Sequence, residues 1–391
     1  MILGFDFEGS VFPHAMSYDP IAFPVCLCVI SDTGIQKEWV FNHDQLATPR
    51  PHQEMIQEIQ EIVDQSTLLV GHNVKFDLGW LHKLGIDYSK QDVYCTQVAE
   101  YLINGQNNRI RYSLAETSKR YGIPDKIDKT AMWWASGYET NQIPLNTLIP
   151  YCYQDVANTL AIYFKQQPII KEKNLSKLTD LSCELSRVLE EIEWHGMLID
   201  KLVCQDYSEK YGEQIIKLKE ELLKITIEVI PELKELPINF GSSEQISAIL
   251  FGGDFKYKGR VAGKKEGTTK NGTVFLSIAG LGFLPRDGTE TKTAGVFSTD
   301  KAQFDGLQGK TTEQKRFLEA ITELSNLEKM KGTYYDGMLK HEMQGLVHCN
   351  IHQTRTVTGR FSATDPALQT VPRSSTSPIK AVFISRYKGE E

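Results

Sequence analysis

Asp6 and Glu8 stand two residues apart in the apolar run MILGFDFEGS. In an extended strand, residues i and i+2 point to one face, so both carboxylates project together and Phe7 lies on the other side. Two carboxylates so close repel unless a cation sits between them. An all-oxygen donor set suits a hard divalent ion such as magnesium or manganese. Alone, the D-x-E pair is weak evidence, because a chain with 50 acidic residues contains such pairs by chance. Solvated acids at a strand end are the plain alternative. Two further groups add weight. VGHNVKFDLGWL places Asn73 and Asp77 after a short buried strand, at a strand-to-helix junction. YCYQDV places Tyr151 and Asp155 four apart, on one helix face. Each has its own plain reading, a solvated first-turn acid or a surface hydrogen-bonded pair, but chance accounts poorly for all three together.

The elements that must position these residues read as α/β over the first 165 residues. MILGFDF, AFPVCLCVIS and KEWVFN have strand character, and STLLVGHN is a short buried strand. PHQEMIQEIQEIVDQ has helical spacing, KFDLGWLHKLGI is a helix closed by Gly85, and residues 96–104 and 113–121 give two more helices. IPYCYQDVANTLAIYFKQ opens with Pro150 in a first turn and turns Leu160, Ile162 and Phe164 inward. From about residue 170 the pattern changes to long helices, punctuated by Gly196 and Pro231. GSSEQISAILFGG is a capped short helix. Residues 252–298, rich in Gly, Lys and Thr, read as a loop or hairpin insertion outside the core. Thr311 and Gln314 form a capping box that opens a long helix with Phe317, Ile321, Leu324 and Leu327 on one face. The final segment returns to strand-like alternation and a polar loop.

Bulk properties narrow the class. At 391 residues, two or three domains are expected. No apolar stretch approaches a membrane span, and the first apolar residues lack a basic leader. Seven cysteines without a CxxC pair fit a reduced, cytoplasmic protein. A net charge of −7 argues against a wholesale polyanion binder but leaves local nucleic-acid contacts open.

FDFEG, GHNVKFDL and YxxxD in this order resemble the three exonuclease motifs of the DEDD superfamily, tyrosine subtype, and YSLAETSKRYGI resembles the helix between the second and third motifs. The resemblance covers residues 1–165. It departs at Cys95-Thr96, where the family often has Asp-Thr. It implies a ribonuclease H-like fold and two-metal hydrolysis with Mg2+ or Mn2+. Asp6 would bridge both ions, Glu8 and Asp155 would hold the ion that activates water, and Asp77 would support the second. A phenol is a poor base at neutral pH, so Tyr151 would orient the water. Asn73 would contact the terminal nucleotide. Phe7 and Phe76 pack near the frayed base or in the core. The products would be 5′-mononucleotides from a 3′ end.

LEEIEWHGMLID, INFGSSEQISAILFGG, VFSTD, FLEAITELSNLEKMKGTYYDGML and HQTRTVTGRFSATDPALQTVP resemble, in that order, family A DNA polymerases from the thumb into the first palm strands. The short lead before Asp6 resembles the bacteriophage members. The expected organisation is an exonuclease domain over 1–167, a mainly α-helical thumb over 168–343 with a basic insertion at about 252–298, and an incomplete α+β palm over 344–391. Thr356, Thr358, Arg360, Ser362 and Gln369 are donors and acceptors on a loop punctuated by Gly and Pro, able to meet phosphates or minor-groove acceptors without reading sequence. By resemblance, Arg360 and Gln369 would touch the duplex near the primer end; Thr370 departs from the family's usual Asn. Lys256, Lys258, Arg260, Lys264 and Lys265 would add electrostatic grip on DNA, against a solvated loop as the alternative.

In this family a strand like AVFIS leads into a D-Y-S run; here RYKGEE follows instead. The expectation is a proofreading exonuclease whose DNA synthesis needs a C-terminal polymerase chain carrying the fingers and the rest of the palm. A self-sufficient exonuclease on DNA or RNA 3′ ends, and a non-catalytic scaffold binding DNA and the partner half, are the alternatives.

Overall fold

β1 (Ile2–Gly9) is the middle strand of a five-stranded sheet. In the computed structural model, which describes residues 1–11, 15–46, 52–124, 130–262, 269–373 and 377–387, β2 (Pro24–Ser31) and β3 (Gln36–Val40) continue from β1 as antiparallel neighbours. After α1 (His52–Gln65), β4 (Leu68–Gly71) runs parallel to the other edge of β1. Helix α2 (Lys75–Lys83) then returns the chain to β5 (Asp92–Cys95), parallel to β4. The order is β3-β2-β1-β4-β5. PVCLCVIS is buried almost throughout, as a strand covered on both faces must be.

Helices α3 (Thr96–Ile103), α4 (Leu114–Arg120), α5 (Thr130–Ala135), α6 (Leu145–Glu172) and α7 (Ser176–His195) complete this body. α6 crosses β1 closely: a Cβ on Gly4 would meet Leu160 Cγ at 2.6 Å. α6 begins at Leu145, so Pro150 lies inside the helix and not in its first turn. Phe164, expected inward, is 51% exposed with its ring against Tyr163, while Leu160 and Ile162 are buried.

The chain divides into two compact units, and the division differs from the boundaries read in the sequence. One unit joins Met1–Leu198 with His341–Val371 and Ile384–Glu391; the other joins Ile199–Lys340 with Pro372–Phe383. α7, expected in the thumb, packs on α2, α3 and β5 and belongs to the first unit. So do β6 (Met197–Leu198) and the strands of the later segment. The second unit contains α8 (Lys201–Val229), capped by Asp200, whose side chain accepts from Val203 N at 3.0 Å. α9 (Ser243–Phe251) follows, capped by Ser242. Then come a hairpin of β7 (Gly253–Ala262) and β8 (Thr269–Ile278), α10 (Lys301–Gly306), α11 (Thr312–Lys329), a π-helical turn over Met330–Tyr335, and α12 (Asp336–Lys340). The Thr311–Gln314 capping box is present, and Phe317, Ile321 and Leu324 are buried. The insertion read as lying outside the core does contribute to it: Phe255, Ile278, Leu281 and Phe283 are buried with α8, α9 and α11.

Back in the first unit, β9 (Glu342–Met343) and β10 (Leu346–Val347) form a small sheet with β6, and β11 (Asn350–His352) pairs with β12 (Ser362–Thr364). No helix among the described residues is long and apolar enough to cross a membrane.

Candidate active site

The acids meet where β1 outruns its neighbour. β4 pairs only with Ile2–Gly4, so the following edge of β1 has no strand partner on that side. The Phe7 N–H on that edge is taken by Asp77 Oδ1 at 3.0 Å. Asp77 is the third residue of α2 and 2% exposed. Asn73 turns the chain from β4 into α2: it takes a left-handed φ of 59°, a conformation asparagine tolerates, and its carbonyl accepts from Phe76 N at 3.0 Å. The Asn73 side chain is exposed.

Asp6 and Glu8 share the opposite face from Phe5 and Phe7, as the alternation requires. Phe7 is 3% exposed and stacks on Phe41 at 6.4 Å. Of its two expected places, beside a frayed base at a 3′ end or in the core, Phe7 takes the second: the pleat that aims the carboxylates toward α6 turns Phe7 into the core. α6 supplies the remaining groups. Asp155 is buried, and Tyr151, one turn earlier, is half-buried with its ring at the edge of Trp134, 5.8 Å between centroids. Between them Cys152 donates its S–H to the Asp6 main-chain carbonyl at 3.3 Å, pinning α6 to β1.

Burial pushes the Asp6 carboxyl well above the usual range, and Cys152, Asp77, Glu8 and Asp155 around it push the same way. Burial raises Asp77 too, opposed by the Phe7 N–H. The four acids therefore act on one another electrostatically, and oxygens of Asp6 and Glu8 come within 4.8 Å of each other and of Cys152 Sγ. Carboxylates that destabilise one another's charge in this way, with hard oxygen donors, fit divalent metal ions, which reverse the penalty.

Sequence reasoning missed a buried hub beside this site. Lys75, two residues before Asp77, pairs with Glu193 on α7 and donates to Asn350 Oδ1 at 3.1 Å and Ile351 O at 2.8 Å on β11. Glu193 also accepts from Ile351 N. Lys75 was visible within GHNVKFDL, but nothing in the local sequence announces Glu193.

The other expected contacts separate into groups. On the loop after β11, Thr358 and Arg360 are exposed, and Gly359 turns the chain at φ 71°. Thr356 is committed to the loop itself, donating Oγ1 to Arg360 O at 2.7 Å. Gln369 Oε1 accepts from Ala363 N at 3.0 Å. Ser362 Oγ is buried with no hydrogen-bond partner. In the second unit, Lys256 pairs with Glu244 at 3.0 Å, and Lys258 and Arg260 are exposed on β7. Lys264 and Lys265 lie outside the described residues.

A five-stranded mixed sheet in this order, with acids converging from its central strand and two helices, defines a ribonuclease H-like exonuclease domain. The family model for 3′-5′ exonuclease matches residues 14–171, and that for DNA polymerase family A matches residues 203–390. The two family models thus follow one another along the chain, exonuclease first and polymerase second. Over 204 residues, 52% of this chain, it is 29% identical to the thermostable DNA polymerase I of Thermus thermophilus. It is 24% identical to DNA polymerase I of Pseudomonas aeruginosa over 318 residues, and 25% identical to DNA polymerase DpoZ of Acinetobacter phage SH-Ab 15497 over 350 residues. The chain spans 20%, 30% and 49% of these three relatives. Its fold resembles that of the POL domain of Pol1 from M. smegmatis, solved with DNA primer-template and dNTP, at a TM-score of 0.69 and 19% identity, over 98% of this chain and 55% of that one. Exonuclease domains of this kind use divalent metal ions.

Proposed function

We propose that the acid cluster is the active site of a 3′–5′ proofreading exonuclease that hydrolyses the terminal phosphodiester of DNA. The observation that carries this reading is the convergence of Asp6, Glu8, Asp77 and Asp155 where β1 runs on beyond β4, in a region that the 3′-5′ exonuclease model matches from residue 14 onward. Asp6, Glu8 and Asp155 would hold two Mg2+ or Mn2+ ions, with Asp77 in support. Bound there, such ions supply Lewis acidity for the attacking water and the leaving oxygen. The chain's own residues do the rest. The Phe7 N–H fixes one oxygen of Asp77, so that carboxylate presents the other without losing its place. Tyr151, held by Trp134, orients the water. Asn73, on its left-handed turn, meets the terminal nucleotide. Water adds to phosphorus, the bond to the 3′ oxygen breaks, and a 5′-mononucleotide leaves while the shortened strand regains its 3′ hydroxyl.

The polymerase-family portion grips DNA in this reading, through Thr358 and Arg360 on one loop and through Lys256, Lys258 and Arg260 on the hairpin. Thr356, Ser362 and Gln369 shape the first of these loops. In this reading nucleotide incorporation needs a C-terminal partner chain that carries the fingers and the rest of the palm. In this reading the protein works in the cytoplasm.

The test is release of mononucleotides from 3′-labelled single-stranded DNA with Mg2+. Asp6→Ala with Glu8→Ala is expected to slow release by about a thousandfold, since metal-borne charge stabilisation amounts to several kcal/mol. Equal release by the double variant would overturn the assignment.

A further inference from the structure

The β7–β8 hairpin has two unlike faces. Its register pairs Phe255 with Leu276 and Tyr257 with Val274 on one face, and Phe255 is fully buried. On the other face Lys256 stands opposite Phe275, Lys258 opposite Thr273, and Arg260 opposite Asn271. Lys258 and Arg260 are exposed, and Phe275 is 61% exposed. Asp254, opposite Ser277, closes this face at the base, and Glu244 already pairs with Lys256.

A lone apolar side chain on a surface is ordinary. Phe275 differs in its surroundings. It is the one large apolar side chain of an otherwise polar ladder, with Lys256 directly across and Lys258 on the diagonal, about 7–8 Å away in a paired sheet. Successive cations on one strand face recur every two residues, about 7 Å apart. A flat ring among cations on a two-stranded platform suits single-stranded nucleic acid, whose bases stack on aromatic rings while its phosphates meet basic side chains. Duplex DNA offers the same phosphates but keeps its base faces stacked internally, so the ring has nothing to meet.

We infer that the outward face of the β7–β8 hairpin binds single-stranded DNA, with Phe275 stacking on a base and Lys258 and Arg260 taking phosphates. This rests on the nucleic-acid reading of the polymerase-family portion given above, and it adds a strand preference and a new residue, Phe275.

The experiment is an anisotropy titration of the whole chain with labelled oligo(dT) and with a duplex of equal length, between about 50 and 200 mM salt. It is run in EDTA, so it reads the hairpin whether or not the acid cluster cuts DNA. Phe275→Ala is expected to weaken oligo(dT) binding about tenfold, within the range for one stacked base, with the salt slope unchanged. Phe275→Leu, which keeps an apolar side chain and loses the ring, should do the same. Lys258→Ala with Arg260→Ala should flatten the slope of log K against log salt by about 1.4, the value for two phosphates of a single strand. Wild-type affinity in both Phe275 variants, an unchanged slope in the double variant, or equal losses on duplex and single strand would each overturn the inference.

Discussion

Asp6 is under electrostatic tension, because burial and three acidic neighbours oppose its charge at once. Without metal, the folded state retains protons on Asp6 and Asp77 that the unfolded chain gives up. Stability therefore falls as pH rises from the ordinary carboxylate range, about pH 4, through the raised folded values. In EDTA the melting temperature should drop over that rise, and Asp6→Asn should drop less. Mn2+ should restore stability most at the higher pH, where the carboxylates are free to bind it. Differential scanning fluorimetry across pH, with and without Mn2+, checks this; a melting temperature rising with pH in EDTA would contradict it. The residue types that make this site were legible from spacing alone, because a strand aims i and i+2 to one face and a helix aims i and i+4 to another. Phe7 shows the limit. Its own alternation argued for the core, and only its resemblance-based role placed it at the substrate.

At the scale of elements, the arrangement that matters most is α2 held against α7 and β11. Burial pushes Lys75 down and Glu193 up, and their contact with each other and with the β11 backbone offsets that cost. Removing one partner leaves the other charge buried alone. Lys75→Met is therefore expected to destabilise the first unit by about 3–5 kcal/mol, and Lys75→Met with Glu193→Leu by much less. Urea denaturation of the two variants measures the difference; equal losses would show that the pair is not coupled. Elements with a clear period or cap were readable: β1, α1, α2, α9 and the Thr311-capped α11 lie where their residues placed them. β5 was not foreseen, since four residues that run directly into α3 carry too little alternation. α7 was read as a helix, but its packing on α2, α3 and β5 was not legible, because helical period says which face is apolar and nothing about which core receives it. The hairpin's inner face was hidden by the Gly- and Lys-rich composition around Phe255 and Ile278.

At the scale of the molecule, each unit has its own hydrophobic cluster, one around the five-stranded sheet and one around α8, α9 and α11. Two separate cores favour two unfolding transitions over one. All four acids of the candidate site lie in the first unit. Calorimetry should therefore resolve two transitions, and Mn2+ should raise one of them and leave the other in place. A single transition that shifts as a whole would count against this division.

The Glu193–Ile351 contact spans 158 residues of sequence. At translation rates of about 5–20 residues per second, β11 leaves the ribosome roughly 8–30 s after Glu193. For that interval Lys75 and Glu193 have only each other, and the face of α7 that β11 will cover stays open to solvent. The Lys75–Glu193 hub is thus completed only by a segment made after the whole of α8 through α12.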